Sequence, residues 1–404
     1  MWSFGLPALL LAAALIATPR TVAAQDAQPG TRAAAIEQDQ AAKVPSLKPY
    51  QANAGERWAQ KAQDILVGGG VSWHPFFESA YSGGGFTLGA GYMHYVGPYN
   101  SLDMRGSYTL RGYKRAEVEF MAPRLFKRRG SLSVLGGWRE ATEVGFYGLG
   151  TGTVKEDQTS YGFERPYASA LLTVRPTRRF LMLRGGLEWT RWAQEPADGG
   201  QFPSVETVYT PATLPGLNAT VSYLHTQGTV GFEYRTSPGY SRRGGFAGIT
   251  GHDFTDQDGD FGFRQVDYEV IQHIPILREA WVVSLRALVS TTFEKDGQEI
   301  PFFMHPSLGG GSNLRGFSSW RFRDRHSMLL QGEWRIMVNR FFDTAVFYDT
   351  GKVGDHVSDL DLTEMKHDVG FGVRFHSPFA TPLRVDIAKS REGLHFVFSS
   401  SAVF

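Results

Sequence analysis

The chain has 404 residues, no cysteine, and 41 Lys+Arg against 40 Asp+Glu. The missing cysteines exclude disulfides and thiolate sites, and the balanced charge excludes a nucleic-acid protein driven by a basic field. Glycine (47 residues) and aromatics (13%) are abundant, as expected of many turned strands with rings at membrane interfaces.

An apolar run from Phe4 to Ile16, a short polar stretch and the small triplet Val22-Ala23-Ala24 read as a secretory signal over residues 1–24. The run is shorter than the ~20 apolar residues of a spanning helix. Residues 25–63 are expected to form a flexible periplasmic segment: 26–53 is an Ala/Gln/Pro-rich linker too poor in large apolar groups to fold alone. Within 55–66, Trp58, Ala62, Ile65 and Leu66 have helical spacing, so a short amphipathic helix is predicted there.

No later stretch has the apolar length of a membrane helix. Residence in a bilayer therefore requires strands closed into a barrel, which satisfy their backbone groups internally. Residues 64–404 supply such strands. Trp281, Val283, Leu285, Ala287 and Val289 share one parity, with Ser284, Arg286, Ser290 and Glu294 on the other. Met328, Leu330, Trp334, Ile336 and Val338 likewise oppose Gln331, Glu333 and Arg335, and Leu383, Val385 and Ile387 oppose Arg384 and Asp386. Polar faces charged with both signs suit a wet lumen better than a soluble sandwich.

Sixteen strands are predicted, at 65–77, 84–95, 101–111, 114–123, 131–140, 161–175, 180–193, 220–236, 244–255, 261–274, 280–294, 324–338, 341–351, 366–376, 382–389 and 393–404. The fold class is thus all-β, a 16-stranded antiparallel transmembrane barrel with an inward-folded loop. An even count returns the chain to its starting side, so the expectation is a bacterial outer membrane with both termini periplasmic. The last strand places Leu394, Phe396, Phe398, Ala402 and Phe404 on one parity. A terminal aromatic there looks like an assembly signal for barrels awaiting insertion.

The loop before the twelfth of these strands reads Gly309-Gly310-Gly311-Ser312-Asn313-Leu314-Arg315-Gly316-Phe317. Here the sequence resembles the bacterial surface antigen superfamily, the BamA/TamA-type barrels. Their sixth extracellular loop carries a (Val/Ile/Leu)-Arg-Gly-Phe motif, matched by Leu314, Arg315, Gly316 and Phe317. Gly332-Glu333-Trp334-Arg335, Phe347-Tyr348-Asp349-Thr350-Gly351 and Phe146-Tyr147-Gly148-Leu149-Gly150 are also family-typical, and the resemblance covers residues 65–404. It implies a barrel that aids insertion or translocation of proteins or lipids. The partners it implies are outer-membrane lipids, unfolded barrel clients, and the assembly machinery during the chain's own insertion. Residues 26–66 are too short for one POTRA domain, so the chain resembles the subgroup without them. A passive pore is the alternative.

An arginine on a loop entering a barrel must find acceptors, because an unpaired guanidinium away from bulk water is costly. Parity offers Glu333 and Asp349, with Arg335 and Gly351 on the same lumen wall. Arg315 is expected to pair with Asp349, Glu333 or both, with charge-assisted geometry that lysine cannot reproduce. The alternative is a solvated loop arginine, with the carboxylates paired to other lumen charges such as Arg335.

Other features carry less. The acidic run from Asp253 to Asp260 lacks the bidentate Glu of a calcium loop and reads as a solvated turn. Lys127-Arg128-Arg129 is a charged turn that could also meet anionic lipid or a chaperone. No metal-spaced histidine pair and no Gly-x-Ser-x-Gly elbow occurs, so no catalytic residue, metal or cofactor is expected.

Overall fold

A computed structural model describes residues 32–43, 72–177, 180–277, 279–377 and 380–404. Residues 1–59 and 60–404 form separate compact units. In the first, α1 (Arg32–Lys43) is a helix inside the stretch expected to be linker. Six strong formers (Ala33, Ala34, Ala35, Gln38, Ala41 and Ala42) explain it, since alanine and glutamine lose little on entering a helix. The amphipathic helix expected at 55–66 and the signal over 1–24 lie outside the described residues.

The second unit is a 16-stranded antiparallel sheet whose order follows the chain. Its strands are β1 (Trp73–Pro75), β2 (Thr87–Val96), β3 (Asn100–Thr109), β4 (Lys114–Arg124), β5 (Gly130–Phe146), β6 (Thr159–Val174), β7 (Leu181–Pro196) and β8 (Thr220–Glu233). They continue with β9 (Gly244–Asp256), β10 (Phe263–Ile276), β11 (Trp281–Glu294), β14 (His326–Asn339), β15 (Phe342–Gly354), β16 (Lys366–Phe375), β17 (Leu383–Ser390) and β18 (Gly393–Ser399). The remaining pair, β12 (Ser307–Leu308) and β13 (Phe322–Arg323), is a small hairpin within the loop after β11. No helix among the described residues is long and apolar enough to cross a membrane.

Period-two alternation decides which side chains meet which medium. In β15, Val346 and Tyr348 are exposed while Ala345, Phe347 and Asp349 are buried; in β17, Leu383 and Ile387 are exposed while Arg384 and Asp386 are buried. An apolar exterior and a charged interior are the pattern of a barrel wall in lipid.

Both edge strands end before the expected residue. β1 ends at Pro75 instead of 77, because Phe76 turns inward under the guanidiniums of Arg105 and Arg115, 5.5 and 5.0 Å from its ring; the expected residues 65–71 of this strand lie outside the described residues. At the other edge β18 stops at Ser399 instead of 404. The Ser399 hydroxyl accepts the Ser401 amide (3.2 Å), a local bond that competes with the ladder. Phe404 therefore leaves the outward parity of Phe396 and Phe398. Its ring stacks on His273, 6.1 Å between centroids, beside the buried Met182, Phe246 and Ile271.

The interior is filled at the end bearing the long loops. Phe146, Tyr161, Tyr223 and Phe263 from the strands meet Val205, Leu214 and Leu217 of the β7–β8 loop, and Ile300, Phe302 and Phe303 of the β11–β14 loop, in one buried cluster. Phe302 packs edge-on against Phe146 (5.1 Å) and Tyr161 (4.9 Å). At the opposite end the ten-residue link 234–243 folds across the mouth. Its Tyr240 hydroxyl donates to Asp343 (2.5 Å), and Arg335 donates to the Ser241 carbonyl.

Candidate functional site

The β11–β14 loop enters the barrel because its own sequence makes a compact wedge. Pairing of Ser307 with Arg323 and Leu308 with Phe322 closes an arc over residues 309–321. Gly309 and Gly310 have φ of +112° and +104°, a region open to glycine and strained for other residues. A Cβ on Gly309 would also lie 2.3 Å from the Ser318 carbonyl. The apolar members of the arc, Leu314 and Phe317, join Leu308, Phe322, Leu329 and Val353 in a second buried cluster. Val353 and Leu329 belong to the wall, so the wedge is pinned there by packing as well as by charge.

Arg315 sits at the tip and is fully buried. Its Nε and Nη2 donate to Asp349 Oδ2 (2.6 Å) and Oδ1 (2.8 Å), a bidentate pair. Nη1 donates to Glu333 Oε2 (3.0 Å) and Asp386 Oδ2 (3.4 Å). The guanidinium carbon stands 3.4 Å over the centre of the Phe347 ring. Burial alone would draw its pKa down, but the hydrogen bond and charge of Asp349, with the charges of Glu333 and Asp386, outweigh it and hold it above the ordinary arginine value. Only a planar fork meets three carboxylates on three strands in this way.

The wall side of the site is a ladder of opposite charges. Arg374 on β16 donates to both oxygens of Glu333 and to Asp386 Oδ1 (3.0 Å). Arg384 on β17 donates to the Gly311 carbonyl of the arc (2.6 Å). Gln331 reaches the Asn313 carbonyl (2.8 Å) and Asp349 (3.2 Å). Gly316 lies where a Cβ would be 2.5 Å from the Asp368 Cβ and 3.1 Å from the Ser390 Cβ. Gly351 leaves room for the Leu308 side chain, which a Cβ would meet at 2.8 Å. Leu314, Arg315, Gly316, Phe317, Glu333, Asp349 and Gly351 thus come together.

Arg335 and Phe404 do not join them. Arg335 is 3.8 Å from Glu333 but spends its Nη2 on Ser241 and on Ser284 Oγ (2.9 Å), tying down the 234–243 link. Phe404 lies at that same end. Sequence reasoning left out Arg374, Asp386 and Arg384 from the anchor. Their inward parity was legible; their height relative to Arg315 depends on the β15–β16–β17 register. Also missed were Arg321, which bonds the Thr153 carbonyl (2.7 Å) and Glu392 (3.0 Å), and Arg323, which bonds Tyr161 and the Phe302 carbonyl. Tyr147 and Gly150 receive this returning arm: Arg321 stands 4.7 Å over the Tyr147 ring, and the Gly150 amide donates to Arg323 O (2.9 Å).

The acidic run is used locally. Asp256 accepts the amides of Asp258, Asp260 and Phe261, while Asp253 pairs with Lys295 (2.9 Å) and Arg264 (3.2 Å).

Comparison with known proteins gives a family. The Omp85 superfamily domain matches residues 84–400. Among solved structures, BamA from Haemophilus ducreyi lacking POTRA domains 1-3 superposes with a TM-score of 0.59 at 17% identity, covering 79% of this chain and 68% of that one. This likeness is one of fold. CdiB from Acinetobacter baumannii gives a TM-score of 0.48 at 10% identity, covering 78% of this chain and 57% of that one. No curated protein matches the sequence.

Proposed function

The chain belongs to the Omp85 superfamily, and on that premise we propose that it is an outer-membrane barrel that helps insert or translocate polypeptides or lipids through the seam between β1 and β18. The short links then face the periplasm and the long loops the outside, with client strands captured by edge pairing.

The observation that carries this reading is the contrast between seam and wall. Within the 16-stranded sheet each adjoining pair from β2 to β18 is hydrogen-bonded over seven or more register positions, whereas the described part of β1, Trp73–Pro75, pairs with β2 and not with β18. An unpaired edge is a template for an incoming strand. The Arg315 anchor ties the loop to β14, β15 and β17, and Trp320 Nε1 donates to the Ser82 carbonyl beyond β1 (2.9 Å). One loop thus bridges both sides of the seam. A passive pore, the competing reading, would need the aromatic cluster and the wedge to vacate the lumen.

A cysteine-free chain permits a direct test. Cysteine pairs scanned across the edges, Trp73→Cys to Pro75→Cys against Val397→Cys to Ser399→Cys, are oxidised in the folded protein. The reduced pairs should accelerate folding of a model barrel into liposomes and the oxidised pair should not. Full acceleration by the locked barrel, or a steady open conductance of the unmodified protein, would refute the seam.

A further inference from the structure

Two neighbouring short links gather cations that form no ion pair among the described residues. The β4–β5 link, with its flanks, presents Arg124, Lys127, Arg128 and Arg129, and the β6–β7 link presents Arg175; all five are exposed. Residues 120–139 and 165–187 contain no acidic side chain, and among the described residues none of the five cations is ion-paired. The Arg175 amide donates to the Arg129 carbonyl (2.6 Å) and Arg129 Nη1 to the Pro176 carbonyl (3.4 Å), so the two links form one surface.

That surface is built rather than loose. Phe126, Lys127 and Arg128 have φ of +49°, +58° and +70°, three successive left-handed residues that persist only when their surroundings hold them. The Phe126 ring covers Gly130, where a Cβ would meet it at 2.7 Å. The Arg124 guanidinium lies 3.7 Å over the Tyr99 ring. On the outer face, Tyr99, Phe126, Phe180, Tyr234 and Phe341 are exposed at this end of the barrel, as in the aromatic girdle that marks the boundary between hydrocarbon and headgroups. In a bilayer bounded by that girdle these cations would stand at the level of lipid phosphates.

We propose that this rim is a binding site for the phosphodiester headgroups of anionic glycerophospholipids, held by Arg124, Lys127, Arg128, Arg129 and Arg175. Guanidiniums grip phosphate oxygens through paired donors, and the lysine adds a point charge. Such a clamp fixes the depth and tilt of the wall at β4 to β7. It uses the membrane placement in the proposed function but none of the seam chemistry, so either can fail alone.

The test compares the wild type with a variant carrying Arg124→Gln, Lys127→Gln, Arg128→Gln, Arg129→Gln and Arg175→Gln. A control neutralises five cations at the long-loop end: Arg111→Gln, Arg264→Gln, Arg325→Gln, Lys352→Gln and Arg391→Gln. Each is placed in phosphatidylcholine nanodiscs containing phosphatidylglycerol, and retained lipids are counted by native mass spectrometry, with heat-modifiable gel mobility as the folding check. Surface cations each change such binding about fivefold, so the rim variant should lose at least tenfold in phosphatidylglycerol retention while the control matches wild type. Millimolar inorganic phosphate should not displace the lipid. Equal retention by wild type and rim variant, equal loss in the control, or full displacement by phosphate would each overturn the proposal. Should the rim variant not fold, single substitutions at Lys127 and Arg175 must each lower retention, and unchanged retention in both would overturn it.

Discussion

Replacing Arg315 by alanine tests the anchor at its tip. The substitution removes four hydrogen bonds to three buried carboxylates and a guanidinium standing over Phe347. Glu333 keeps Arg374, and Asp386 keeps Arg374 and Arg384. Among the described residues Asp349 keeps Gln331 as a donor and otherwise faces the Asp368 carboxyl across the ladder. The loss concentrates on that one orphaned carboxylate, and removing one partner of a buried pair costs about 3–5 kcal/mol. Arg286→Ala is the matched comparison. Arg286 donates to Glu269 (2.7 Å), with longer contacts to Gln331 (3.2 Å) and the Ser312 carbonyl (3.4 Å), from a side chain 13% exposed against 27% for Glu269, and these partly hydrated contacts are together worth about 1 kcal/mol. Urea denaturation in detergent, read by heat-modifiable mobility, should therefore show a several-fold larger destabilisation for Arg315→Ala. Arg315→Met with Asp349→Asn should recover at least half of it, because the orphan is gone. Equal midpoints for Arg315→Ala and Arg286→Ala, or no recovery in the double variant, would refute the reasoning.

Gly316→Ala forces a Cβ to within 2.5 Å of the Asp368 Cβ, and overpacking of this kind costs about 1–3 kcal/mol; Asp368→Gly should restore the urea midpoint. Phe302→Ala empties the centre of the aromatic cluster and should cost about 3–5 kcal/mol, measured as faster proteolysis of the long loops and a lower midpoint. His305, in the same loop, is held down to about 3 by burial first and then by the charges of Arg323 and Arg325, against about 6.5 when unfolded. The unfolded chain binds the extra proton between those values, so the neutral imidazole's contribution is complete above about pH 6.5 and is lost as pH falls toward 3. His305→Gln should flatten the pH dependence of the midpoint in that window by up to about 1.4 kcal/mol per pH unit, and an unchanged slope would contradict it.

Strand count and side-chain facing were legible because a half-buried strand repeats every two residues, and a wall between lipid and charge writes that period into the chain. It holds for Glu333 and Arg335 on β14 and for Arg384 and Asp386 on β17. The extent of β5 was not legible: it runs to Phe146, six residues past the predicted end, because Ala141, Val144 and Phe146 are buried in the loop cluster and break the lipid-facing alternation. Nor was the end of β18, where serine hydroxyls satisfy the backbone locally. The sequence by itself determined the barrel, the charged character of its interior and the loop that enters it. Only the tertiary structure decided that Arg315 meets Asp349, Glu333 and Asp386 at one height, that Arg335 serves the opposite mouth instead, and that five cations from two links share one rim. Parity is a property of each strand alone, whereas height along the barrel accumulates from the register of every ladder between the residues concerned.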